Sequence, residues 1–191
     1  MQLPGLPAFF VLLTGASAGC ALSQLHATDS RDDKIVLGSL AVAPFANLSK
    51  AEQAERTIAD HLVTQLHKRA DLRLMDLTRE ESTDRIDRQT AREIGEQAGV
   101  DAVLYGTVLA YEYVGSTQHN RDVASPVPSI GVNVRLVSTR TGNILWAAGV
   151  VSSDPSWWTN TTLTLEQLAQ EVATDLAASL AAELEPGVGD G

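Results

Sequence analysis

The chain has 191 residues, with 24 acidic side chains against 14 basic ones, a formal net charge of −10 and a single cysteine. That charge repels phosphate backbones and anionic headgroups, which excludes nucleic acid as a partner and electrostatic attachment to a membrane surface. One cysteine excludes an internal disulfide, so stability must come from apolar burial, and the length suits one domain with a proper core.

The N-terminal stretch is apolar through Leu13 and then turns to small residues, Gly15-Ala16-Ser17-Ala18-Gly19-Cys20. This pattern predicts a secretory signal over residues 1–19. It is too short for a transmembrane helix, which needs about 20 apolar residues. The ending Ala18-Gly19-Cys20 resembles a bacterial lipobox, which implies that Cys20 takes a diacylglycerol and becomes the mature N-terminus. Residues 1–19 hold no Lys or Arg, and Ser17 stands where lipoboxes usually carry Leu. Ala16-Ser17-Ala18 as an ordinary cleavage site is therefore the alternative. Ala21, rather than Asp, after Cys20 points to the outer membrane. Residues 20–33 then read as the lipidated cysteine and a flexible tether, polar and without periodicity.

One α/β domain is expected over residues 34–185. Ile35 to Ala43 is an apolar run ended by Pro44 and reads as a buried strand. Ser49 and Glu52 have the spacing of a capping box. The helix after it stacks Ala54, Ile58, Leu62 and Leu66 on its core face. His61 and His67, on this helix, do not face one another, so a two-histidine metal site is not expected, and both read as rim residues. Leu72 to Asp76 alternates as a short strand. The charge-dense run from Arg79 to Arg92 reads as a solvated, salt-bridged face, with a partner surface as its alternative. Thr90 and Glu93 suggest a second capping box, and Gly99 a C-cap.

Val100 to Leu109 is the strongest strand pattern and should be central. Gly106 within it signals a bulge or a close backbone approach. Tyr111 and Tyr113 continue the alternation beyond the core. Residues 115–129, with Gly, Asn and two prolines, read as an exposed loop holding His119. Ile130 to Val137 and Ile144 to Val151 form a hairpin around Gly142, which needs a positive φ. Leu165, Leu168, Val172, Leu176, Leu180 and Leu184 define a long amphipathic helix ending near Pro186, and residues 186–191 read as a disordered tail. The order is β-α-β-α-β-β-β-α, a mixed sheet of about five strands with three main helices.

Catalytic patterns are missing. There is no P-loop, no dinucleotide fingerprint and no nucleophile elbow. The four histidines are scattered, and no carboxylate pair ends a strand where acid–base work would be staged. The expectation is a protein that is not an enzyme, with no cofactor and no metal.

Three segments carry a family likeness. They are Leu40-Ala41-Val42-Ala43-Pro44-Phe45, then Ala98-Gly99-Val100-Asp101-Ala102-Val103-Leu104-Tyr105-Gly106-Thr107-Val108, then Val134 through Ser138-Thr139-Arg140-Thr141-Gly142-Asn143-Ile144-Leu145-Trp146. Together they resemble a superfamily of envelope lipoproteins that includes the curli-secretion and penicillin-binding-protein activator lipoproteins. A similar fold forms the amino-terminal domain of the Tol-Pal periplasmic protein. Ser138 replaces the usual Asp of the third segment, so its turn hydrogen bond should be weaker. Trp146 reads as a core anchor. Curli-type members form membrane rings from two hairpins per subunit. Membrane hairpins need strands of about 9–11 residues with apolar-out alternation, which residues 115–129 lack, so a pore is not expected.

The resemblance and the residues together imply a lipid-anchored periplasmic domain that binds envelope proteins as an assembly factor, activator or adaptor. The alternative is a subunit of an oligomeric secretion ring, a homo-oligomer. Trp157 and Trp158, in a polar stretch after Pro155, are the candidate partner-binding residues, because exposed Trp is enriched at binding hot spots. Their other reading is a cap on the sheet edge.

Overall fold

A computed structural model describes residues 22–27, 34–69, 72–79, 85–115, 126–153 and 163–186. In chain order the strands and helices are β1 (Leu22–Ala27), β2 (Ile35–Leu37), β3 (Ser39–Val42), β4 (Ala46–Asn47), α1 (Ala54–Arg69), β5 (Arg73–Asp76), α2 (Arg88–Ala98), β6 (Ala102–Val114), β7 (Val127–Ser138), β8 (Ile144–Ser153), α3 (Leu165–Glu183) and β9 (Leu184–Pro186). The main sheet runs β1-β8-β7-β6-β3-β5, with β4 also on β6, while β2 and β9 form a separate parallel ribbon. The expected order and mixed sheet are present, within a larger strand set.

Parallel pairing of β3 with both β5 and β6 comes from two helical crossovers. The chain moves one way across the sheet through α1 and back the other way through α2. Crossovers of one hand running in opposite directions must lie on opposite faces. Accordingly, α1 and α3 bury one face. There Leu40, Val42, Leu104, Ile130, Val132, Leu136 and Trp146 meet Ile58, Leu62, Leu66, Leu168, Val172, Leu176 and Leu180. On the other face Ala91 of α2, with Ile86 and Val100, meets Ala41, Ala43, Val103, Tyr105 and Val137. The i+4 stack predicted for α1 is buried, as are Leu168, Val172, Leu176 and Leu180 of the α3 stripe, while Leu165 is half-buried and Leu184 falls in β9.

The single strand expected over 35–43 is two strands, because the Asp101 carboxylate bends the chain between them. Its Oδ2 accepts hydrogen bonds from Gly38 N at 3.0 Å, Ser39 N at 2.8 Å and Ser39 Oγ at 2.9 Å. β2 then leaves to pair with β9, so the expected helix to Pro186 stops at Glu183 and Pro186 belongs to a strand rather than to a tail. Leu22–Ala27 corrects the tether reading: these six residues pair antiparallel with β8. The loop reading of 115–129 is also shortened, since β6 and β7 stay paired out to Val114 and Val127. Pro128 is tolerated there because it lies beyond the last residue of β7 that pairs with β8, Ser129, where no ladder donor is needed.

Both predicted capping boxes are displaced. Ser49 is held by Asn47, whose Oδ1 accepts from its amide at 2.9 Å and its hydroxyl at 2.7 Å, and α1 starts only at Ala54. At α2 Asp87 takes the N-cap and accepts from Thr90 N at 2.8 Å; a carboxylate is a better cap than a threonine hydroxyl and suits the helix dipole. An unforeseen capping box opens α3 at Thr164 and Gln167. Gly99 closes α2 at φ 65°, as expected.

Gly142 has φ 69°, as the hairpin turn requires. Ser138 Oγ accepts from Thr141 N at 3.3 Å, a long bond that agrees with the weakened turn contact. Gly106 marks a close approach: a Cβ there would lie 2.5 Å from the Phe45 ring. The bulge itself falls between Val108 and Ala110. Trp146 is a core residue at 4% exposure, and its indole Nε1 has no hydrogen-bond partner among the described residues.

Trp146→Ala is expected to lower stability by about 3–5 kcal/mol, from lost packing and a residual cavity. Trp146→Phe should cost much less, because it also removes an orphaned buried N–H. Gly142→Val should cost about 1–3 kcal/mol through strain at positive φ. Asp101→Ala should cost roughly 1–3 kcal/mol by stranding the buried Ser39 amide and hydroxyl. Denaturant melts of the soluble domain check all four. A Trp146→Phe loss equal to that of Trp146→Ala would contradict the orphan-donor account.

Candidate functional surfaces

Cys20, Trp157 and Trp158 lie outside the described residues, as does His119. What is described is where the chain on either side of them sits. Leu22 of β1 pairs with Ser153, the last residue of β8, and Ser153 pairs with Ser129 of β7. One residue, Ala21, separates Leu22 from Cys20, and three separate Ser153 from Trp157. The segment that leads to the cysteine and the segment that carries both tryptophans therefore leave the sheet at one end.

The same end holds the outer part of the β6–β7 hairpin. Beyond Val108, β4 no longer pairs with β6, and beyond Ser129 β8 no longer pairs with β7. The remaining two-stranded arm exposes Tyr113 and Val114, each about half accessible. Its described part runs from Leu109 to Val114 on β6. Among the described residues no helix is long and apolar enough to cross a membrane.

The arm is fastened to the helical layer. Leu165 N at the start of α3 donates to Tyr113 Oη at 3.4 Å. At the next residue Glu166 Oε1 lies 2.7 Å from His61 Nε2 of α1. His61 is thus a rim residue with a definite partner, which bridges α1 and α3. Burial pushes the Tyr111 phenol above its ordinary value near 10, and the Glu166 carboxylate and Tyr113 add to that rise.

A second surface lies between α2 and the β7–β8 turn. Arg88, Arg92 and Glu96 face Thr141, Gly142 and Asn143 across a shallow cleft of about 370 Å³. Arg92 Nε pairs with Glu96 Oε1 at 2.8 Å, so part of its charge is already answered. The cleft is polar, of mixed sign and open. It contains no nucleophile–base pair, and no group of His, Cys, Asp or Glu among the described residues could hold a metal ion. The third surface is the part of the α2 face of the sheet that α2 does not reach. Val151 is 62% exposed there, beside the small residues Ala147 and Gly149 of β8.

Sequence reasoning missed Asp101, whose carboxylate joins β3 to the start of β6. The signal was an acidic residue directly before a strand whose first seven residues are buried, a place where a carboxylate can accept from the amides of the neighbouring strand.

Residues 39–165 match the family described as curli production assembly/transport component CsgG. No curated protein matches the sequence. Among solved structures the fold is similar to the PelC dodecamer from Paraburkholderia phytofirmans, with TM-score 0.62 and 16% identity over 86% of this chain and 99% of that one. It is also similar to lipoprotein GNA1162 from Neisseria meningitidis, with TM-score 0.52 and 24% identity over 74% of this chain and 99% of that one. Protein XCC0632 from Xanthomonas campestris aligns with TM-score 0.53 and 13% identity over 79% of this chain and 87% of that one.

The Tyr111 shift has a consequence at high pH. Its folded pKa lies above the unfolded value, so its contribution to stability is complete below about pH 10 and is lost as pH rises through the folded value. Tyr111→Phe should therefore flatten the alkaline decline of the denaturation midpoint. Parallel declines in wild type and variant would contradict this.

Proposed function

The chain belongs to the family of the curli production assembly/transport component CsgG, and from that premise we propose that it is a non-catalytic, lipid-anchored adaptor or assembly factor of an envelope complex. In this reading Cys20 carries the acyl chains, the domain faces the periplasm from the outer membrane, and Trp157 and Trp158 form the docking patch. One observation supports it most. The β1–β8 register puts the way to Cys20 and the way to the two tryptophans at the same end of the sheet. An anchor and an aromatic patch at one end suit a protein that meets its partners close to the bilayer, where indole rings are favoured. A single acyl chain holds only marginally, but several together hold stably.

A second reading, a subunit of a homo-oligomeric ring, is favoured by one specific likeness. The PelC structure that covers 99% of its own chain in the alignment is a dodecamer. The bare strip of sheet around Val151 offers a surface for such contacts. Size-exclusion with light scattering on residues 21–191 separates the two readings: a single monomeric mass at high concentration argues against the ring.

Cys20→Ala should leave the precursor unacylated and release the protein from the membrane, and mass spectrometry of the mature N-terminus reads this directly. An unmodified Cys20 on the mature wild-type chain would sink the anchor. Trp157→Ala or Trp158→Ala should abolish capture of the envelope partner or self-association, with almost no change in melting temperature. A loss of several kcal/mol in stability would instead assign both rings to packing beneath α3.

A further inference from the structure

We propose that β1 is a releasable strap that sets how far the domain stands from its anchor; the inference rests on the acylation of Cys20 proposed above. β1 is the terminal strand of the sheet. It pairs with β8 through six residues, and no described strand pairs with its other edge. β8 does not depend on it, because β8 is held along its opposite edge by β7 from Val137 to Ser129. Opening of a single edge strand is the kind of sub-global event found at the low end of local stabilities.

The sequence makes that opening consequential. With β1 docked, only Ala21 separates Cys20 from Leu22, so the anchor stays within about 7 Å of the sheet. With β1 released, the free chain runs from Cys20 to Ile35 and reaches about 50 Å when fully extended. Release stops there. Lys34 Nζ donates to the Ala182 carbonyl, Ile35 pairs with Leu184, and Gly38 and Ser39 are held by Asp101. The chain therefore has two defined lengths: one keeps the domain flush with the bilayer, and the other lets it search the space above it. The composition fits a strap that must survive in both states, since Ser23, Gln24 and His26 are polar and can be left in water.

The test uses the full acylated chain on supported bilayers of phosphatidylethanolamine and phosphatidylglycerol, with the protein–bilayer spacing read by neutron reflectometry. His26→Pro removes a ladder donor from β1, since the pair His26↔Gly149 points its backbone groups at each other, and should move the domain outward by up to about 40 Å. A disulfide between Gln24→Cys and Val151→Cys, which are paired in register, should hold the domain flush, and reduction should restore the wild-type profile. In wild type, amides of β1 should exchange at least about tenfold faster than those of β7. Equal spacing for wild type, His26→Pro and the disulfide form, with Cys20 acylated, overturns the strap and leaves the anchor intact. Exchange in β1 as slow as in β7 also overturns it. A chain whose Cys20 is unmodified by intact mass and which does not bind the bilayer overturns the anchor itself, and the strap with it.

Discussion

The Asp101 carboxylate is the constraint on which the rest of this fold is arranged. It accepts the amides of Gly38 and Ser39 and the Ser39 hydroxyl, while its own N–H donates back to Ser39 Oγ at 3.0 Å. Its carbonyl also receives Thr139 N at 2.9 Å. One residue thus fixes the start of β6 against the start of β3 and against the turn that follows β7. The register Leu40↔Ala102 follows from that, and a slip by one residue would send every side chain of β3 to the wrong face. The bonds are charge-assisted, and they fall on the consecutive amides of Gly38 and Ser39, so they specify a bend as well as a contact.

Once β3 lies beside β6, the two faces of the sheet take different loads of apolar surface. The α1–α3 face is broad, and the alternation of β7 and β8 feeds it over the whole sheet. The α2 face is narrow and stops at β7. The imbalance explains why a domain with three helices still leaves part of β8 uncovered. It also separates the molecule into a stable middle and a periphery of short elements, β1 and β2 with β9, each paired along one edge among the described residues. Function in such a protein is expected at the periphery, where small free energies decide between arrangements.

The elements legible in the sequence were those that carry strong periodicity. The i+4 stack of α1, the leucine stripe of α3, the continuous strand Val100–Leu109 and the Gly142 hairpin all stand where periodicity put them. What was not legible depended on pairing across the chain. Leu22–Ala27 shows no alternation, and only β8 makes it a strand. Ile35–Ala43 is uniformly apolar, and only Asp101 divides it. Ser49 and Thr90 have correct capping spacing, but Asn47 and Asp87 bind first. The surface reading was legible only as residue types. That the routes to Cys20 and to Trp157 and Trp158 share an end depends on a long-range register that local sequence does not encode.

The path from the anchor into the core has a mechanical meaning. Tension applied from the N-terminal side passes through β2 along the covalent chain and enters β3, the strand flanked on both sides by parallel neighbours β5 and β6. A pull along β3 loads its hydrogen bonds to both neighbours side by side, in shear, so they must fail together rather than one after another. The short ribbon of β2 and β9 lies first on that path, and its three pairs give way before those of β3. A domain fixed to a membrane at one end and to a partner at the other would therefore resist stretching through its most central strand, and its resistance would be a property of the rate of rupture rather than of equilibrium stability.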